Sequence, residues 1–123
     1  MKSAAQKKLK THVTRCGHCD LEVTEHLAHY WFTVINKAVF KDQLPRPNIV
    51  IRPMRKYRGW AHAKTGRNLM ELANDPINKN EFISLIAHEM VHLWQWQTYK
   101  SMNHGQTFLY WKKFFKKHYN LSL

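Results

Sequence analysis

The chain has 123 residues and carries 20 Lys and Arg against 8 Asp and Glu, a formal net charge of +12. A hydrophobic fraction of 44% with only 4 Gly and 4 Pro excludes a disordered or fibrous chain and favours one hydrophobic core. The start MKSAAQKKLKTHVTR has no apolar stretch behind it, no long apolar run follows, and 2 Cys are too few for a disulfide framework. These features predict a cytoplasmic or nucleoid- or nucleus-associated protein, not secreted and with no membrane partner.

Both ends are purely basic. Lys2, Lys7, Lys8, Lys10 and Arg15 precede the first acid, Asp20, and Lys100, Lys112, Lys113, Lys116 and Lys117 follow the last, Glu89. Such ends attract a polyanion, and inside a cell that is usually nucleic acid. Cys16-Gly17-His18-Cys19 is a lone C-x-x-C. It lacks the preceding strand of a dithiol oxidoreductase and the second ligand pair of a structural zinc, so it reads as an inert or dimer-bridging thiol pair.

From Asp20 to about Gln43, Leu27, Ala28, Trp31, Phe32, Ile35, Ala38 and Val39 recur at spacings of three and four, which predicts an amphipathic helix ended by Leu44-Pro45-Arg46-Pro47. Between Asn48 and Leu72, β-branched and aromatic residues alternate with basic ones, and Gly59 and Lys64-Thr65-Gly66 supply turns. This predicts two or three short antiparallel strands. Asn74-Asp75-Pro76 breaks that pattern, and Asn78 followed by Glu81 predicts a capped helix start. Phe82 to Tyr99 holds one formal charge, Glu89, and is apolar around most of its circumference, the mark of a buried helix. After a polar break from Ser101 to Gly105, a last helix is expected to run to about Tyr119, with Phe108, Trp111 and Phe115 on one stripe and Lys113 and Lys117 turned away.

The buried helix contains His88-Glu89-Met90-Val91-His92, in which two imidazoles four residues apart face the same way and can grip one metal ion. Burying two imidazoles and a carboxylate costs several kcal/mol unless something pairs with them, and a dication offsets that cost. A catalytic zinc needs a third protein ligand, yet no Asp, Glu or Cys follows Glu89, which leaves His104 and His118. His104 is the better placed: the twelve-residue gap after His92 lets the helix finish and the chain turn back, and Gly105 eases a tight approach. The residues three and six beyond His92 are Gln95 and Thr98, which excludes the longer H-E-x-x-H-x-x-G-x-x-H pattern.

His88-Glu89-Met90-Val91-His92 followed by His104-Gly105-Gln106-Thr107-Phe108 resembles the SprT-like zinc metallopeptidases, whose pattern is H-E-x-x-H and then His-Gly with an aromatic. Asn36 to Pro47 is similar to the helix end and Leu-Pro turn ahead of that family's small sheet, and Gly59-Trp60-Ala61 to its glycine-bearing strand. The resemblance runs from about Leu21 to Tyr119. It implies an α+β, zincin-like domain over residues 20–123, behind a basic segment 1–19: an N-terminal helix, a short antiparallel sheet, the buried H-E-x-x-H helix and a C-terminal helix. It also implies a zinc-dependent endopeptidase, in a family whose members include proteases that degrade proteins crosslinked to DNA and so serve DNA repair. Many relatives carry a zinc ribbon after the peptidase domain, and this chain has no cysteine beyond Cys19.

One Zn2+ on His88, His92 and His104 would bring the pKa of bound water down toward ~7, with Glu89 beside it as general base. The strand at Gly59, Trp60 and Ala61 is expected to hold a protein substrate by strand addition. Arg52, Arg55, Lys56 and Arg58 around the sheet, with Lys112, Lys113, Lys116 and Lys117 on the last helix, are the expected DNA-contacting cations. Tyr99, Tyr110 and His62 are possible second oxyanion donors. The rival readings are a nucleic-acid-binding module with a structural or retired zinc site, and a redox or assembly protein centred on Cys16 and Cys19.

Overall fold

Ser3 opens the first helix with a reciprocal cap: its hydroxyl accepts from the Gln6 N–H at 3.2 Å, and the Gln6 side chain accepts from the Ser3 N–H at 2.9 Å. The resulting α1 (Ala4–Arg15) buries Leu9 and Val13 completely or nearly so, and the Gln6 amide donates to the Ala38 carbonyl at 3.1 Å. The computed structural model describes residues 3–15, 20–64, 67–75 and 77–123; Cys16 and Cys19, the expected turn residues Thr65 and Gly66, and Pro76 lie outside them. Strand β1 (Asp20–Leu21) follows, and α2 (Glu25–Val39) begins at Thr24, whose hydroxyl accepts from the Leu27 N–H at 3.1 Å. The predicted helix start at Asp20 is therefore too early: Thr24 is a better cap, and the residues before it pair as a strand.

The end of α2 is set by a buried amide. Asn36, 4% exposed, donates to the Leu44 carbonyl at 2.9 Å and accepts from the Leu44 N–H at 3.2 Å. Lys41 and Asp42 take left-handed conformations between these anchor points, so the chain reverses tightly into Leu44-Pro45.

Three strands follow: β2 (Asn48–Arg52), β3 (Gly59–Lys64) and β4 (Arg67–Ala73), in the spatial order β2-β4-β3. β3 and β4 pair antiparallel, from Gly59 with Leu72 to Lys64 with Arg67, whereas β2 and β4 pair parallel, Val50 beside Glu71. The sheet is thus mixed where the sequence pattern suggested an antiparallel one. The segment 53–58 reverses the chain but spaces β2 and β3 one strand apart, and β4 fills the gap.

Strand β5 (Ile77–Asn78) pairs with β1 and leads directly into α3 (Lys79–Tyr99), where the Asn78 side chain accepts from the Glu81 N–H at 2.8 Å as predicted. Phe82, Ile83, Ile86, Ala87, Met90 and Val91 are fully buried, so α3 runs through the centre of the core, packed against β3 and α2. Lys100 ends it in the left-handed conformation. Last comes α4 (Gln106–Tyr119), closed by Asn120 with the Leu121 N–H reaching back to the Phe115 carbonyl at 3.2 Å and Leu121 wholly buried. Phe115 is also fully buried and Trp111 packs on Phe40 and Trp94, so the aromatic stripe of α4 serves the core. No helix is long and apolar enough to cross a membrane among the described residues.

Candidate metal centre

The helical repeat brings His88 and His92 to one face of α3, and the turn after Lys100 returns the chain so that His104 meets them at the threshold of α4. The His104 Nε2 stands 3.2 Å from the His92 Nε2 and 3.3 Å from the His88 Nε2. All three nitrogens lie within 4.8 Å of one another, and no other group of three or more His, Cys, Asp and Glu side chains is so placed among the described residues. Nitrogens bound about 2.0–2.1 Å from a tetrahedral ion are themselves about 3.3 Å apart, so the spacing fits a metal held from three corners. Phe108, 3% exposed, lies under the cluster, its ring 4.7 Å from His88, 4.7 Å from His104 and stacked on His92 at 5.2 Å.

The electrostatics suit a dication. Burial, together with the neighbouring His92, His104 and Lys112 charges, lowers the His88 pKa to about 4, and burial lowers that of His92 against the raising effect of its hydrogen bond to the Gln95 oxygen. Both imidazoles are therefore neutral near pH 7, the form that ligates. Burial alone raises the Glu89 carboxyl to about 8. A cation beside it would reverse that shift.

Gln95 is the residue that sequence reasoning passed over. It is 1% exposed, and its oxygen lies 2.9 Å from the His92 Nδ1 and 3.2 Å from the Asn103 N–H that donates to it, while its nitrogen donates to the Thr107 hydroxyl at 2.8 Å. Asn103 in turn accepts from the Gly105 N–H at 2.8 Å. One amide thus ties α3 to both sides of the loop that carries His104. The available signal was a polar residue at i+3 from a ligand on an apolar helix, where an unpaired amide would be costly.

Glu89, 4% exposed, faces β3. A Cβ placed on Gly59 would lie 3.2 Å from the Glu89 Oε2 and 2.8 Å from the Leu85 Cδ1, so any side chain here would push those two side chains aside. β3 is an edge strand, and it packs against α3, the helix of the histidine cluster. Ala61 packs inward with the core, while Trp60 points to the opposite face of the sheet.

The predicted cations separate. Lys112, Lys113, Lys116 and Lys117 are exposed on α4, with Lys112 near enough to act on His88. Arg58 lines the cleft beside Leu85 and His88. Arg52 is held by Glu71, its Nε donating at 2.9 Å, and Arg55 and Lys56 are exposed on the loop between β2 and β3. None of the three oxyanion candidates makes a described contact with the histidines: Tyr99 packs against Trp94, Tyr110 against Trp111 and Phe114, and His62 against Trp60 on the outer sheet face.

No curated protein matches this chain. The SprT-like family model matches residues 28–122, which takes in most of α2, the whole three-stranded sheet, the histidine cluster and α4. With the H-E-x-x-H helix and the His-Gly turn converging as that resemblance implied, the chain belongs to the SprT-like family.

Proposed function

We propose that the protein is a zinc-dependent endopeptidase acting on protein substrates at or near DNA, including proteins crosslinked to it. The observation that carries this reading is the convergence of His88, His92 and His104 within 4.8 Å, with Glu89, the residue after His88, close to Gly59 of the edge strand. Three imidazole ligands suit zinc and its transition-metal neighbours, and not magnesium or calcium, which take oxygen donors. When bound, zinc supplies Lewis acidity and a water of lowered pKa.

The remaining work falls to the chain. The free edge of β3 offers backbone groups to an extended peptide, which binds by strand addition with little demand on side-chain identity. Gly59 sets that edge against Glu89, so a peptide seated there presents its carbonyl next to the carboxylate. Glu89 accepts the proton of the attacking water at a carboxylate oxygen and returns it to the departing amine. Burial of Glu89 keeps bulk water from competing for that proton. The exposed lysines of α4 and the cations of the β2–β3 loop support attraction to DNA, which would concentrate a protease of low sequence preference on its targets.

The test compares zinc-loaded protein with its Glu89→Gln variant on an unfolded protein substrate, with and without DNA. The wild type should cleave, and faster with DNA, while the variant binds one zinc and leaves the substrate intact. Full proteolysis by the variant would overturn the mechanism.

A further inference from the structure

The sheet has two unlike faces. Met70 and Leu72 of β4 are fully buried against the helices, while Val50, Glu71, Trp60 and His62 alternate to the other side, which no helix covers among the described residues. Trp60 is 41% exposed and Tyr57 45% exposed, and their rings meet edge to face at 5.0 Å. The Trp60 indole N–H donates to the His62 Nδ1 at 3.1 Å, so the exposed ring is held in one orientation. Together with Arg52, Met54, Arg55 and Lys56 these rings line an open groove of about 600 Å³.

We infer that this groove binds single-stranded nucleic acid, with unpaired bases stacking on Trp60 and Tyr57 and phosphates facing Arg55 and Lys56. The inference rests on the proposed association with DNA and adds the form of nucleic acid and the surface that reads it. Aromatic rings fixed on a sheet face and bordered by cations are a platform for bases of any sequence. The bases of a duplex are stacked on one another and offer the rings nothing. An apolar protein partner would have to bury Arg55 and Lys56 without counter-charges, because Glu71, the acid lining the groove, is already engaged by Arg52. β3 also connects the two proposed activities: the Trp60 ring lies on the outer face while Gly59, the residue before it, leaves no room for a side chain beside Glu89 on the inner one. A strand bound outside therefore leaves an attached protein within reach of the cleft.

The experiment measures binding of the full-length protein, carrying Glu89→Gln so that cleavage plays no part, to oligo(dT), to an abasic phosphodiester strand of equal length and to a duplex. Oligo(dT) should bind about tenfold or more tighter than the abasic strand. The double variant Tyr57→Ala, Trp60→Ala should erase that preference while keeping abasic-strand binding, and Tyr57→Phe, Trp60→Phe, which retains the rings, should restore it. Equal affinity for oligo(dT) and the abasic strand, tighter binding of duplex, or an unchanged preference in the double alanine variant would overturn the inference. Binding of no strand at all would also remove the proposed DNA association, whereas cleavage by Glu89→Gln protein would remove the peptidase mechanism alone.

Discussion

His92 donates its Nδ1 proton to the side-chain oxygen of Gln95 across 2.9 Å. The direction is fixed by the surroundings: the same oxygen accepts from the Asn103 N–H, and the Gln95 nitrogen donates to Thr107, so the imidazole can only be the donor. The Nε2 lone pair is thereby left for the metal.

Gln95→Leu should therefore weaken metal binding by about 10–100-fold through loss of this outer contact. Competition with a chelator measures it, and Gln95→Glu, which still accepts from His92 and Asn103, should recover part of the affinity. Unchanged affinity in Gln95→Leu would remove the assignment.

In metal-free protein, Glu89 and His88 should shape the pH profile of stability in opposite directions. The Glu89 carboxyl moves from an ordinary 4.5 to about 8, so its contribution is complete below pH 4.5 and is lost as pH rises to about 8. The His88 imidazole moves from 6.5 to about 4, so its contribution is present above pH 6.5 and is lost as pH falls to about 4. Glu89→Gln should abolish the alkaline loss and leave the acid one. Urea midpoints of chelator-stripped protein across this range read both arms, and parallel profiles for the two proteins would contradict the prediction.

Gly59→Ala should damage cleavage more than folding. The added methyl meets the flexible end of Leu85 at 2.8 Å and the Glu89 carboxylate at 3.2 Å, and the side chains must yield. Overpacking of this kind costs about 1–3 kcal/mol of stability, while a displaced general base loses about 100-fold or more in kcat. Thermal melting and steady-state kinetics on the same preparation separate the two effects.

Leu9→Ala should cost about 2–4 kcal/mol, because Leu9 is fully buried among residues of the same core as Trp31 and Phe115. A urea titration checks this; a loss under about 0.5 kcal/mol would mean that α1 does not contribute to the core as it stands.

Much of the site was legible because its chemistry is local. His88 and His92 follow from one helical turn, the Asn78 cap marks where that helix starts, and the gap of twelve residues after His92 set His104 ahead of His118. What escaped depended on distant partners or on a cap overlooked. The parallel pairing of β2 with β4 is invisible to alternation, which says which residues face inward but not which strand lies alongside. Gln95 looked like a failed motif position until the loop of Asn103 and Thr107 came to meet it. The helix α1 was hidden by its lysines, although Ser3 and Gln6 form a capping box and Leu9 and Val13 stand one turn apart.

The junction of α1 and α2 bears on any attempt to excise a minimal peptidase. The family match begins at residue 28, past the Thr24 cap and one turn into α2. A fragment trimmed to that boundary would begin on an uncapped helix stub and strip the His12 ring of α1 from the indole of Trp31, now 2% exposed. It should be sticky and quick to precipitate, and a usable truncation should begin ahead of Ser3.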